Sequence, residues 1–330
     1  MRPNRRSMHP VAAVVSIIIA LPAIAGAQNI QFQGNADARG ATTFIDSPIA
    51  PNSPAVIETL GVLVAGGSGT IASESAIGAH VLSIPAAAFS AVPDFVPLVC
   101  ESSAPPDDSD SGTMGAVSLP GFLEAQSLEC ETSAVDGPSE TGARGTAGAT
   151  GADLNAGVVT AESAHDSTSS VHALGQVESR GFAELLGVTL LEGEITIDVV
   201  RARATALVRA GDPMAAAADP EWEIVALRIL GTEVPVTGGP VSVSPDTLGL
   251  LGIVSITAGT TSSAITQDGG RAEATVEALH VLLESGLEIS LGSAGVLAEV
   301  VTLPSAVTPT TFGRLKQMFL PEERRVSQAR

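Results

Sequence analysis

One block is used twice in this chain, and it constrains the fold more than any other feature. Gly187-Val-Thr-Leu-Leu-Glu-Gly-Glu-Ile-Thr-Ile-Asp198 returns as His280-Val-Leu-Leu-Glu-Ser-Gly-Leu-Glu-Ile-Ser-Leu-Gly292. Both copies read as strand, Gly-containing turn, strand. Leu60-Gly-Val-Leu-Val-Ala-Gly-Gly67, followed by Thr70 and Ile71, reads as a fainter third copy. A chain that reuses a β-hairpin builds sheet, and the repeat points to architecture before chemistry.

Residues 1–27 stand apart from any fold argument. Arg2, Arg5 and Arg6 precede the apolar run Val11 to Ala23, and Ala25-Gly26-Ala27 supplies small residues for cleavage before Gln28. That order of basic, apolar and small residues is the pattern of a secretory signal peptide. The run is too short to span a bilayer, and no later stretch offers a span, because Leu248 to Thr257 is broken by Gly249, Gly252 and Ser255. A secreted location, extracellular or periplasmic, is therefore expected, with no membrane span once the signal is removed.

The remaining chain is long enough for a large core, and 45% of the 330 residues are apolar. The net charge of -20 becomes more negative without the three leader arginines. Such a chain repels nucleic acid and anionic membranes, so neither is expected as a partner. Cys100 and Cys130 are the only cysteines. In an oxidising compartment an even pair closes, and a disulfide here would staple the base of the acidic loop Pro105-Pro-Asp-Asp-Ser-Asp-Ser-Gly112.

Along the chain, 28–55 is polar and broken by Gly34, Gly40, Pro48, Pro51 and Pro54, and reads as short strands or an irregular lead-in. Strand patterning starts near Val56 and continues with period-two alternation over Thr70 to Ile84. Gly137 to Gly151, with five glycines, reads as a mobile connection where two lobes of an all-β domain, 56–303, would part. Beyond Leu154 long strands follow, among them Glu194 to Arg209, with Ile195, Ile197 and Val199 placed on one face. Gln267-Asp-Gly-Gly270 supplies a hairpin turn. In the tail, 304–330, Phe312, Leu315 and Phe319 stand at helical spacing beside Arg314 and Lys316, which suits a short amphipathic helix or a frayed end. The expected fold is all-β, a mainly antiparallel long-stranded β-sandwich-like architecture, with a β-solenoid as the alternative.

Chemistry is harder to find. His80, His165, His172 and His280 are isolated, and His165 and His172 fall on opposite faces of one strand. His165-Asp166-Ser167 places triad residue types on alternating faces, where no relay forms. Asp107, Asp108 and Asp110 gather oxygen ligands for calcium but lack the ordered spacing of a calcium loop. No phosphate loop, dinucleotide fingerprint or haem motif occurs, so no cofactor and no catalytic residue is assigned. Trp222 is the only tryptophan and reads as a core or sheet-face residue rather than a ligand platform.

The late block Ala278-Leu-His-Val281 leading into Leu287-Glu-Ile-Ser-Leu-Gly-Ser-Ala294, the strand entry Leu119-Pro-Gly121, and Leu227-Arg-Ile-Leu-Gly-Thr-Glu-Val-Pro235 together resemble the bacterial choice-of-anchor P surface and secreted proteins. The resemblance covers roughly Leu60 to Val301. It implies an extracytoplasmic role of unestablished molecular activity and brings no catalytic residues. The family's C-terminal sorting signals have no counterpart after Pro304, which favours release or periplasmic residence over attachment. The expected function is a non-enzymatic envelope or extracellular protein, of structural or adhesion type, whose partners are envelope macromolecules. The alternative is a secreted, glycosidase-like hydrolase with carboxylates in an inter-lobe cleft.

Overall fold

Alternation of small and apolar residues with polar ones becomes long strands. In the computed structural model the described residues are 29–45, 55–66, 73–75, 98, 100, 102–104, 107–119, 123–137, 139–154 and 157–303. The leader with its Ala27/Gln28 cleavage position, the tail 304–330, His80 and the Gly67–Ile71 part of the third repeat lie outside them. One compact unit spans Asn29–Leu303.

The smaller sheet is six-stranded, in the order β16 (Gly239–Pro240), β17 (Ile253–Ile265), β18 (Arg271–Leu283), β19 (Leu287–Leu303), β1 (Asn29–Ile45) and β2 (Ala55–Gly66). The larger is eleven-stranded. Its centre runs β12 (Ile195–Arg209), β11 (Gln176–Leu190), β10 (Val159–Ala173) and β9 (Thr141–Leu154). Against β12 lie β13 (Ala217–Val225) and the small hairpin β14 (Arg228–Ile229) and β15 (Thr232–Glu233). Against β9 lie β8 (Ser127–Asp136), which carries β5 (Asp108–Met114), and β7 (Leu123–Ala125), which carries β6 (Val117–Leu119). A two-stranded piece pairs β3 (Ser73–Ser75) with β4 (Ser102–Ala104), and one short helix, α1 (Pro245–Leu250), starts at the Ser244 cap.

The two sheets stack face to face. β17 lies over β13, β18 over β12 and β13, β19 over β12 and β11, β1 over β11 and β10, and β2 over β10 and β9. The described ladders are antiparallel, which gives the sandwich-like architecture and not the stacked parallel coils of a solenoid.

Both copies of the repeated block are hairpins, β11–β12 and β18–β19. Leu60–Gly66, in the third, belongs to the single strand β2. What bounds the two copies is a crease. Along β12 the buried positions are Ile195 and Ile197 and then Val200, Ala202, Ala204, Ala206 and Val208, so the inward face changes parity near Asp198. The pairs on either side place Gly187 opposite both Asp198 and Glu162. In the other sheet Gly292 falls opposite both Ala278 and Gly40. Gly187 and Gly292 have φ of 58° and 63°, the left-handed region in which a side chain costs about 1–2 kcal/mol.

Residue size changes across the crease. On the hairpin side the core is Leu190, Ile195, Ile197, Leu279, Ile289 and Leu291; on the other it is Ala36, Ala143, Ala183, Ala204, Ala274 and Ala298. Burying each Leu or Ile contributes about 1.5–3 kcal/mol, which makes the repeated hairpins the main hydrophobic anchor.

Two expectations are corrected. The lead-in 28–55 is not irregular: Asn29–Ile45 forms β1, between β19 and β2. Its Gly34 is a contact point, because a Cβ there would lie 2.8 Å from Ser179 Oγ of the facing sheet. Nor do lobes part at 137–151, since Thr141–Leu154 is β9, paired with β8 on one side and β10 on the other. Its small residues serve close packing, with Ala143, Ala147 and Ala149 buried.

Candidate functional site

The outer face of the eleven-stranded sheet gathers chemistry that is scattered in sequence. Strand register fixes three cross-strand rows. Ser133, Arg144, Ser169, Arg180 and Thr205 form the first, and Glu131, Thr146, Ser167, Phe182, Arg203 and Glu221 the second. Glu129, Gly148, His165, Glu184, Arg201 and Glu223 form the third. These residues point outward because their neighbours Ala143, Ala147, Asp166, Thr168, Ala183, Ala202 and Ala204 point into the sandwich.

The arginines are held by carboxylates of the same face. Arg144 Nη2 lies 2.5 Å from Glu140 Oε1, and Arg180 Nη2 lies 2.5 Å from Glu178 Oε1. Arg201 bridges Glu184 at 2.5 Å and Glu223 at 2.7 Å. The hydrogen bond to Glu184, then that to Glu223, raises the Arg201 pKa further. Arg203 is held most loosely, 3.9 Å from Glu221. At the far edge Arg228 donates to Asp198 at 2.8 Å, and that hydrogen bond holds the Asp198 carboxyl below its usual pKa.

Between the rows runs an open trough of about 600 Å³ with Ser133, Thr146, Ser167, Ser169 and Phe182 along it and Arg144, Arg180, Arg203 and Glu131 at its rim. A second depression of about 570 Å³ shares Phe182 and Arg203 and reaches Trp222, so the two form one groove from β8 to β13. At roughly 4.8 Å per strand the groove is about 24 Å long. Three guanidinium groups and Glu131 stand at the first trough, and Glu140, Glu178 and Glu221 pair with those arginines from its flanks, so the groove is lined by ion pairs rather than by unpaired charge. Fixed guanidinium forks recognise carboxylates or sulfates, the hydroxyls exchange hydrogen bonds, and Phe182 offers an apolar face.

The residues singled out from the sequence fall elsewhere. Asp107 Oδ1 accepts from the Asp136 amide at 2.7 Å and Asp108 Oδ1 from the Ser109 amide at 2.9 Å, so both carboxylates serve the ends of β5 and β8; Asp110 lies on the same edge strand. Among the described residues no group of three or more His, Cys, Asp or Glu side chains is placed to hold a metal ion. Cys100 and Cys130 form a disulfide with Cα atoms 6.0 Å apart. The loop it closes is worth about 3.5 kcal/mol in the chain-entropy model. His165 and His172 do fall on opposite faces: His165 is exposed, 6.5 Å from Phe182, whereas His172 is half-buried and stacked on Phe32 at 4.1 Å. His280 Nε2 lies 3.7 Å from Glu288. Trp222, opposite the buried Ala202, packs over Gly238 and Gly259 and closes the β13–β17 side of the sandwich.

One buried group was missed from the sequence. Asp166 is fully buried and accepts a hydrogen bond from the Gly40 amide of the opposite sheet at 2.9 Å. The available signal was its period-two register with Ala164, Thr168 and Ser170, which are also buried.

No family model matches the chain, and no curated protein matches it. Solved structures similar to it include Pseudomonas aeruginosa OpdO, at 9% identity over 84% of this chain and 98% of that one, with a TM-score of 0.15. A BenF-like porin from Pseudomonas fluorescens Pf-5 matches at 10% identity over 84% and 98%, with a TM-score of 0.14. Pseudomonas aeruginosa OccK9 (OpdG) matches at 12% identity over 83% and 98%, also with a TM-score of 0.14. Scores at this level carry no argument about fold or function. Among the described residues no helix is long and apolar enough to cross a membrane.

Proposed function

We propose that this is an exported, non-enzymatic envelope or extracellular protein that binds a linear, acidic polysaccharide along the outer face of its larger sheet. The observation that carries the reading is the groove from β8 to β13, in which Arg144, Arg180 and Arg203 stand over a row of hydroxyls and the Phe182 ring. An extended uronic-acid chain suits it: its carboxylates meet the remaining N–H donors of guanidinium groups that Glu140, Glu178 and Glu221 hold in place, and the ring hydroxyls meet Ser133, Thr146, Ser167 and Ser169. Export is supported by the leader-like first 27 residues and by the Cys100–Cys130 disulfide, and the resemblance to choice-of-anchor P proteins agrees with it. The glycosidase-like alternative loses the cleft it needed, because the segment that was to separate two lobes is β9.

The test is calorimetric titration with oligogalacturonate and with a neutral oligosaccharide of equal length. Binding of the acidic oligomer, weakened at least ten-fold by the double substitution Arg180→Ala and Arg203→Ala, is expected, with little response to the neutral one. Equal binding of both oligomers, or an unchanged affinity in the double variant with its melting curve intact, removes the arginine groove as the site. Release of reducing ends from either oligomer overturns the non-enzymatic reading.

A further inference from the structure

The free edges of a sandwich are where a chain chooses its strand partners, and proteins guard such edges with charge or proline. Here most are guarded. β5 carries Asp108 and Asp110, β13 carries Asp219, Pro220, Glu221 and Glu223, and the β2 sequence carries Glu58. β17 is different. From Ile253 to Gln267 the chain has no charged residue and no proline, although its net charge is -20.

Among the described residues only the start of that edge is paired. β16 pairs with β17 at Gly239–Ala258 and Pro240–Thr257, and the Val241 amide donates to the Ile256 carbonyl at 2.9 Å, so this cover runs toward the start of β17 and not toward Ile265. Beyond it Thr260, Thr261, Ser262, Ser263, Ala264 and Ile265 are all exposed, so this stretch overhangs the larger sheet and is open on both faces. The direction of its backbone groups follows from its hairpin. The Thr266 amide donates inward to the Arg271 carbonyl at 3.0 Å. Antiparallel alternation then turns the amides and carbonyls of Thr260, Ser262 and Ala264 toward β18 and those of Thr261, Ser263 and Ile265 outward.

We propose that this edge is a strand-pairing interface with a second copy of the chain, the two β17 strands running antiparallel so that the six-stranded sheets join into one. Charge selects the occupant. Two copies of so acidic a protein repel one another, and β17 is a long edge where they meet without bringing carboxylates together. The segment is also self-complementary. Ser263 facing Ser263 places Thr261 opposite Ile265, small and β-branched side chains that suit cross-strand pairs, and the outward groups of each strand satisfy those of the other in an isologous two-fold contact.

The test is the mass of the chain from Gln28 to Arg330 in solution, by light scattering over a wide dilution series. Twice the chain mass is expected at the concentrated end, with dissociation on dilution. Ser263→Pro removes an outward donor without touching the ladder to β18, and Thr261→Lys brings the missing charge; each is expected to give a monomer with an unchanged circular-dichroism spectrum. Should the proline variant fail to fold, the lysine variant decides alone. A wild-type chain that is monomeric throughout overturns the proposal, as does a Thr261→Lys variant that keeps the doubled mass. The acidic-oligosaccharide titration reads a different face, so either result can fail without the other.

Discussion

Asp166 and His172 sit six residues apart on β10 and both point inward from it to different degrees, one fully buried and one half-buried. Asp166 ties the sheets together through the Gly40 amide, which is why the neighbouring His165 and Ser167, facing out, have no part in that contact. His172 rests on Phe32, and burial lowers its pKa from the usual 6.5. The sign of the consequence follows. Above pH 6.5 the ring is neutral in both the folded and the unfolded chain, so its contribution to stability is fully present. As pH falls below that value the unfolded chain takes up the proton first, and stability is lost until the folded pKa is passed. Because the ring is only half-buried the loss is small. His172→Gln is expected to be less stable at neutral pH but to show a flatter dependence on mild acidification than the wild type. Parallel slopes for the two proteins in urea melts at a series of pH values would remove His172 as the titrating group.

The element that organises the sandwich is the crease. It needs a left-handed residue in a strand, and Gly292 also meets the facing sheet: a Cβ there would lie 3.0 Å from Val200 Cγ1, and 3.4 Å from Ala278 Cβ on the neighbouring strand β18. Gly292→Val is expected to lower stability by about 2–5 kcal/mol, from the left-handed backbone and overpacking together. Gly286→Ala, in the open β18–β19 turn with φ of 84° and no atom near its Cβ, is expected to lose about 1 kcal/mol. Equal urea midpoints for the two variants would mean that the crease is not a packing constraint. This also marks what was legible in the sequence. The two hairpins and the Asp268–Gly269 turn were, because their cues are local. β1 and β9 were not, since Gly34, Gly142 and Gly148 read as breakers until the residues facing or flanking them are known. The groove was illegible for a related reason: Arg144, Arg180 and Arg203 lie on three different strands, and only register brings them to one face.

At the scale of the molecule the decisive pairing is β1 with β19, from Asn29 opposite Leu303 to Ile45 opposite Leu287. Almost the whole chain is looped out between these partners, so the smaller sheet has no centre until its last strand is present. Antiparallel hairpins such as β10–β11 and β11–β12 form from near neighbours, whereas β1 must wait. Contacts of such long sequence separation slow folding, and refolding over seconds or longer is expected, on the order seen for proteins rich in non-local strand pairs. An unfinished chain of this kind also remains extended, which suits a protein proposed to leave the cytoplasm. Truncation tests the point. A chain ending at Leu303 keeps every described strand and is expected to unfold cooperatively. A chain ending at Gly286 lacks β19, which separates β1 and β2 from β17 and β18 and uncovers Leu279 and Val281, and it is expected to lose the cooperative transition. If the shorter chain still melted in a single sharp step, the larger sheet would be folding alone, and β1 with β19 would be an addition to a finished core rather than its closure.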